Sequence, residues 1–216
     1  EMSYLAHIAT LDPTFLEDLQ YSANFTVLCD AYVSGQRGIA TVAGEYRGIA
    51  WAFRNLFMAH IATLDAEARG DLPPSCHPSN YWKTLLDNQL VYYSQFMADP
   101  KNQTFRLVSG DGGRFGPWQA DYMLQVLAFG VLTGHSDWVS LYLWALKNAI
   151  DRTSGKSGYP VGYGGAYYLN TRPYKLDANG KTIKDDFDLS KAGVRSRERV
   201  CGLADDPPGG KILIVA

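Results

Sequence analysis

The chain has 216 residues, of which 46% are hydrophobic and 19% are charged, and its net charge is −2. This balance supports one domain with a large buried core, or a piece of a larger one. The small negative net charge argues against a nucleic-acid-binding protein, because such proteins carry a basic face that neutralises phosphates. No apolar run has the length of a membrane span, so we expect neither a nucleic-acid partner nor a spanning segment.

Helical periodicity, with start and stop signals, dominates the first 150 residues. Ser79 is placed to cap a helix, Pro117 suits a first helical turn, and Gly134 can close a helix. Six helices are predicted, over residues 2–11, 14–34, 46–65, 79–98, 117–134 and 136–150.

The predicted helices are of two kinds. Helices 46–65 and 117–134 are apolar on nearly every side, which indicates burial all round, whereas helix 79–98 has one apolar stripe and one polar face. The order along the chain is therefore inner, outer, inner, outer, inner, outer, with residues 2–11 as the first inner helix.

The heptapeptide AHIATLD occurs twice, at residues 6–12 and 59–65. Such a repeat indicates stacked supersecondary units, and we interpret AHIATLD as the end of an inner helix. We therefore predict an all-α domain over residues 1–150, made of repeated αα-hairpins that form half of an α/α toroid or a short solenoid. Because the chain starts within a predicted helix, we expect the missing half upstream or in an assembly partner that covers the inner helices.

Two groups of residues could suggest a metal site, and neither has ligand spacing. Cys29, Cys76 and Cys201 form no CxxC or CxxH pair, and His7 and His60 of the repeat lie on different helices without an i,i+4 partner. We expect packed core histidines, no metal site and no cofactor.

Residues 151–216 are rich in Gly, Pro and Asp and show no amphipathic period. We predict a loop-rich extension, with a possible terminal strand over residues 211–216, where small and β-branched apolar residues come after a turn sequence.

Parallel inner helices would bring the loops that precede them to one rim, together with the segment after the last outer helix. These are residues 44–51, 109–122 and 155–168. Aromatic faces stack on sugar rings, carboxylates and guanidinium groups bind hydroxyls, and two carboxylates are the minimum for glycoside hydrolysis. The candidate catalytic residues are Glu45, Asp111 and Asp121, and the candidate substrate-binding residues are Arg47, Trp51, Arg54, Arg114, Trp118, Gln119 and Tyr163.

Structural explanations exist for the same charged residues. Glu45 and Arg47 could cap a helix, and Asp121 could do so as well. Arg54 could be a buried ion-pair partner, and Asp111 could be a turn residue. These alternatives stay open at the level of the sequence.

Two segments, GEYRGIAWAFR at 44–54 and GPWQADY at 116–122, resemble a group of large, uncharacterised bacterial proteins that carry RGxAWxxR and PWQxDF-like helix starts. The resemblance covers residues 2 to about 150, and Tyr122 departs from the usual Phe. That group is similar in fold to the six-hairpin toroids of glycoside hydrolases and polysaccharide lyases, although fold does not fix function. Position by position, the resemblance implicates Arg47, Trp51, Arg54, Trp118, Gln119 and Asp121.

The sequence thus predicts a carbohydrate-active protein, secreted or surface-exposed, that acts as a glycoside hydrolase or polysaccharide lyase on a glycan at the rim. The alternative is a noncatalytic structural module of a cell-surface or virion assembly.

Overall fold

The computed structural model describes residues 2–34, 38–39, 46–98, 114–154, 169–170, 174–176 and 182–184. Most of them are helical. The helices are α1 (Met2–Thr10), α2 (Pro13–Ser34), α3 (Tyr46–Arg69), α4 (Ser79–Ala98), α5 (Pro117–Leu132) and α6 (Val139–Ser154), with a 3-10 turn at Ser136–Trp138. The predicted helical class is confirmed for these residues, whereas the repeated hairpins and the toroid stay predictions. None of the described helices has both the length and the apolarity needed to cross a membrane.

The two copies of AHIATLD do not both end a helix, so that interpretation is wrong for the second copy. In the first copy α1 ends at Thr10, and Leu11 has a positive φ of 56°. In the second copy α3 continues to Arg69. The difference lies in the residues after each copy: Pro13 disfavours helix in the residue before it, and the Asp12 carboxylate accepts a 2.9 Å hydrogen bond from the Thr14 amide at the start of α2. After the second copy comes Ala-Glu-Ala-Arg, a run of strong helix formers.

Helix α3 lies at the centre of the structure and contacts α1, α2, α4 and α5. Many of its large apolar side chains are fully buried, as its largely apolar sequence predicts, whereas Trp51 and Leu64 are exposed. The buried ones include Ile49, Phe53, Leu56 and Phe57. Phe53 and Phe57 both pack edge-on against Trp138, with ring centroids 5.1 and 4.9 Å away.

Helices α3 and α5 run parallel, because the contacts between them advance in the same order along both. From the amino-terminal end these contacts are Arg47 with Trp118, Arg54 with Tyr122, Phe57 with Gly130, and His60 with His135, just beyond α5. Their amino-terminal ends therefore lie side by side.

Helix α4 runs antiparallel to α3. Phe53, near the start of α3, contacts Tyr93, near the end of α4, at 5.0 Å between ring centroids. At the other end Glu67 of α3 accepts a 2.8 Å hydrogen bond from the amide of Ser79, the first residue of α4. The Ser79 hydroxyl also donates to Glu67, so a carboxylate from α3 satisfies the start of α4.

Helix α2 is joined to its neighbours by a buried glutamine. The Gln20 side-chain nitrogen donates to Thr63 of α3 at 2.8 Å and to the His77 carbonyl at 3.0 Å, and its oxygen accepts from the His77 amide at 2.7 Å. One side chain thereby fixes α2 against α3 and against the turn that leads into α4.

Helix α1 is buried only on the side of Ser3 and His7, which faces α2 and α3. On its outer side α1 exposes Met2, Leu5 and Ile8, and α2 exposes Tyr21, Phe25 and Leu28. A covering partner or further chain, expected from the sequence, stays a prediction.

The described residues also form short strands, one before α5 and three beyond α6. β1 (Arg114–Phe115), directly before α5, pairs antiparallel with β2 (Leu169–Asn170), and β3 (Tyr174–Leu176) pairs antiparallel with β4 (Thr182–Lys184). The β1–β2 pair returns the later part of the chain to the amino-terminal end of α5, and α6 runs four residues past the predicted boundary at 150. The possible strand over residues 211–216 lies outside the described residues.

Gly130 sets the distance between α5 and α3, which yields a stability prediction. A methyl group there would come within 2.7 Å of Cε2 of the fully buried Phe57. Although Gly→Ala inside a helix normally stabilises by about 1 kcal/mol, we expect Gly130→Ala to lower the free energy of unfolding by about 1–3 kcal/mol through overpacking. Urea unfolding measures it.

The matched control is the same substitution in a Phe57→Leu background, where the smaller side chain leaves room for the methyl group. There the added cost of Gly130→Ala should shrink. An equal cost in both backgrounds would show that Phe57 is not what Gly130 accommodates.

Candidate functional site

The candidate site lies where the amino-terminal ends of α3 and α5 meet. Pro117 occupies the first turn of α5, where its fixed φ suits a helix and its missing N–H costs no bond. The Gly116 carbonyl accepts hydrogen bonds from the amides of Gln119 and Ala120 at 3.0 and 3.2 Å. This start places Trp118 on the first turn of α5, beside the first turn of α3.

Arg47 is flanked by two tryptophans. Its guanidinium carbon lies 5.6 Å from the ring centroid of Trp51, one turn along α3, and 5.9 Å from that of Trp118. Both distances are within the range of cation–π attraction. The Trp51 side chain is 46% exposed, whereas Trp118 is half-buried. We call Arg47, Trp51 and Trp118 the Arg–Trp cluster.

Arg54 joins the two helices one level further along. Its Nη1 donates a 2.7 Å hydrogen bond to the hydroxyl of Tyr122 on α5. Tyr122 is the residue that departs from the Phe of the resembled motif, and its hydroxyl is the atom that receives this bond. Arg54 therefore has a structural role between α3 and α5 in addition to its candidate binding role.

The other predicted site residues are only partly brought together. Gln119 is buried and Asp121 is half-buried in the first turns of α5. The backbone of Arg114 lies in β1. Glu45, Asp111 and Tyr163 lie outside the described residues, so the pair of carboxylates needed for hydrolysis stays a prediction.

The chemistry that the Arg–Trp cluster offers is recognition of a flat, anionic group. An indole face takes the apolar face of a ring, and a guanidinium group binds a carboxylate through two hydrogen bonds. Of the two indoles, Trp51 presents more of its surface to solvent.

A second polar cluster lies in the carboxyl-terminal half of α3, and the sequence patterns did not predict it. Nδ1 of His60 lies 2.8 Å from Nε2 of His135, and both side chains are buried. Burial lowers the pKa of His60 to about 4, with a further contribution from His135, and burial also lowers the pKa of His135. The expected burial of His7 and His60 agrees with the structure, but the contact with His135 depends on the register of α3 against α5, which no local signal determines.

Among the described residues, neither a thiolate nor a metal cluster accompanies these groups. Burial, together with the charge of Glu17, raises the pKa of the Cys76 thiol to about 11, so it stays protonated at neutral pH. Within the part of the chain that the structure describes, no three His, Cys, Asp or Glu side chains are grouped to hold a metal ion.

The Arg54–Tyr122 bond yields a prediction about the interface beneath the site. Tyr122→Phe removes one hydrogen bond from a charged donor, so we expect the free energy of unfolding to fall by about 1–2 kcal/mol. Urea unfolding measures the effect. Tyr142→Phe, which removes the hydroxyl of another half-buried helical tyrosine, is the control, and equal effects at both positions would contradict a special role for Tyr122.

Comparison of the chain with protein-family models, with curated proteins and with solved structures found no match. The resemblance drawn from residues 44–54 and 116–122 stays an expectation, and the function is inferred from the geometry of the site.

Proposed function

We propose that this chain belongs to a carbohydrate-active protein, a glycoside hydrolase or polysaccharide lyase, that binds an acidic glycan at the amino-terminal ends of α3 and α5. The observation that carries the proposal is the Arg–Trp cluster: the guanidinium carbon of Arg47 lies 5.6 Å from the ring centroid of Trp51 and 5.9 Å from that of Trp118. A uronic-acid sugar has the two features that this cluster recognises, a ring face that stacks and a carboxylate that binds guanidinium.

The proposed scaffold is half of an α/α toroid. Two observations support it. Helices α3 and α5 are parallel neighbours, and Tyr4 of α1 reaches Phe129 of α5 at 6.3 Å between ring centroids, although both helices also pack on α3. These contacts support a curved arrangement of the three helices, like that of the inner helices of a toroid. Glu45 and Asp111 precede α3 and α5 in the sequence, and together with Asp121 in the second turn of α5 they are the proposed carboxylates.

The chemical step depends on which reaction the glycan undergoes. Hydrolysis needs one carboxyl group as acid and a second as base or nucleophile. Elimination from a uronate needs a base to take the proton next to the carboxylate, while arginine neutralises that carboxylate. Arg47 serves both reactions in the same way, by holding the sugar carboxylate beside the two indoles.

The second candidate function is a noncatalytic structural module of a larger assembly. It is favoured by the apolar side chains that α1 and α2 expose, Met2, Leu5, Ile8, Tyr21, Phe25 and Leu28, because contiguous exposed apolar surface marks interaction sites. A protein that binds no glycan and is found only within a stable complex would favour this candidate.

Trp51 gives the direct test of glycan binding. Trp51→Ala should weaken binding of an oligogalacturonate by about 1–2 kcal/mol, which is roughly 5- to 30-fold in Kd, because it removes the exposed stacking face. The melting temperature of the Trp51→Ala variant should change little, since nearly half of Trp51 is exposed. Isothermal titration calorimetry measures Kd, and an unchanged Kd would sink the proposed site.

Arg47 tests the preference for acidic glycans. Arg47→Gln should weaken binding of oligogalacturonate at least tenfold and leave a neutral xylo-oligosaccharide less affected, since only the acidic ligand uses the charge. Arg69→Gln, at the far end of the same helix and paired with Asp65 and Asp71, is the matched control. Equal losses for both ligands would contradict the assignment. New reducing ends or absorbance of unsaturated uronate would distinguish hydrolase from lyase.

A further inference from the structure

We propose that His60 and His135 form an acid-sensitive latch that holds the carboxyl-terminal half of α3 against the end of α5. This inference does not depend on the proposed function. It starts from two distances: Nδ1 of His60 lies 2.8 Å from Nε2 of His135, and Nδ1 of His135 lies 3.2 Å from the carbonyl oxygen of Gly130.

The partners determine which nitrogen carries each proton. A carbonyl oxygen only accepts, so Nδ1 of His135 carries its proton and donates to Gly130. In the neutral ring, Nε2 of His135 is then an acceptor, and the hydrogen between the two rings belongs to Nδ1 of His60. The two hydrogen bonds run in one direction, from His60 to His135 to Gly130. In this arrangement Nε2 of His60 carries no proton, and neither of the two bonds uses its lone pair.

The surroundings keep this pair neutral at physiological pH. Phe57 packs on the His135 ring at 4.8 Å between centroids, and burial lowers the pKa of both histidines. The charged groups that act on the pair are Glu67 of α3, Lys83 and Asp87 of α4, and Asp137 of the 3-10 turn. Lys83 is itself bound by Asp87 and, at 3.1 Å, by Asp137, so its charge offsets part of the charge of these two aspartates.

Acid therefore acts against the latch in two steps. The first proton enters at Nε2 of His60 and leaves both hydrogen bonds intact, but it puts a cation in a buried site. A second proton requires Nε2 of His135, which already accepts from His60, so the bond must break and two cations would face each other. The pair titrates as a coupled unit. Full protonation requires α3 and α5 to separate around His60 and His135.

The sign of the pH effect is set by the lowered pKa values. In the unfolded chain each imidazole titrates near its ordinary value of about 6.5, whereas in the folded protein burial lowers the pKa of His60 to about 4 and also lowers the pKa of His135. Stability from the latch is therefore complete above about pH 6.5 and is lost as the pH falls toward 4. Below about pH 6.5 the unfolded chain holds up to two more protons than the folded protein, and each extra proton raises the unfolding constant about tenfold for every unit by which the pH falls.

The first experiment reads the tautomers in the intact wild-type protein. Nitrogen–proton correlation spectra of the imidazole rings at pH 7.5 should show His60 and His135 both protonated at Nδ1 and not at Nε2. A His60 ring protonated at Nε2 would overturn the proposal, because the bond between the rings would then lack its donor.

The second experiment compares the pH dependence of unfolding in urea between pH 7 and 4.5. In His60→Asn the amide nitrogen can still donate to His135, but the side chain does not titrate. For each unit by which the pH falls, the unfolding constant should therefore rise by a factor about ten times smaller than in the wild type. His77→Asn, at an exposed histidine, should keep the wild-type slope. Identical slopes in all three proteins would refute the latch.

The third experiment distinguishes a latch from general acid instability. The amide of His135, which bonds to the Gly130 carbonyl at 3.1 Å, should lose hydrogen-exchange protection at pH 5 by a larger factor than amides in the middle of α4. If protection falls uniformly across the molecule, the pair contributes to global stability only and the proposal fails.

Discussion

The enclosure of α3 is the constraint on which the rest of the structure depends. A helix of 24 residues with apolar side chains on nearly all sides cannot face water along its length. Helices α1, α2, α4 and α5 all contact it, and the described part of the molecule is therefore organised around one central helix. The position of each of these four helices is set by which side of α3 it covers, and the two polar clusters lie along the same buried helix, one at its amino-terminal end and one in its carboxyl-terminal half.

The polar residues within α3 decide which neighbour occupies which side. A buried polar group is costly unless it is paired, so Arg54 and His60 favour an arrangement that supplies Tyr122 and His135. Both partners come from α5 and the turn after it. Apolar packing alone tolerates several registers between two helices, whereas these two pairs are satisfied together in one parallel register. The polar interruptions of α3 thus specify the orientation of α5, and the surrounding apolar side chains contribute most of the burial.

Much of the helical framework could be predicted from the sequence, because helix boundaries depend on local signals such as Pro117 and Gly134, although the start of α4 is satisfied by Glu67 of α3 and not by the predicted Ser79 cap. The meeting of Arg47, Trp51 and Trp118 could also be predicted, since parallel inner helices bring their preceding loops to one end. The pairing of His60 with His135 could not, because these residues are 75 positions apart and their contact depends on a register that local signals do not determine. The same holds for the contact between Phe57 and Gly130. The predicted end of α3 at the second AHIATLD copy is wrong for a different reason: an identical heptapeptide does not impose an identical helix end when strong helix formers come after it.

The α3–α5 interface links the two clusters through its close central contact. With no Cβ at Gly130, α5 approaches until its backbone rests on the Phe57 ring, and a packed interior of this kind resists compression. This contact fixes the separation between the middle of α3 and the last turn of α5. On the amino-terminal side, the resulting separation brings the Arg47 guanidinium group close to the indoles of Trp51 on α3 and Trp118 on α5. On the carboxyl-terminal side it brings two imidazoles to hydrogen-bonding distance. One glycine opposite one phenylalanine thus sets the spacing on which both the candidate binding site and the histidine pair depend.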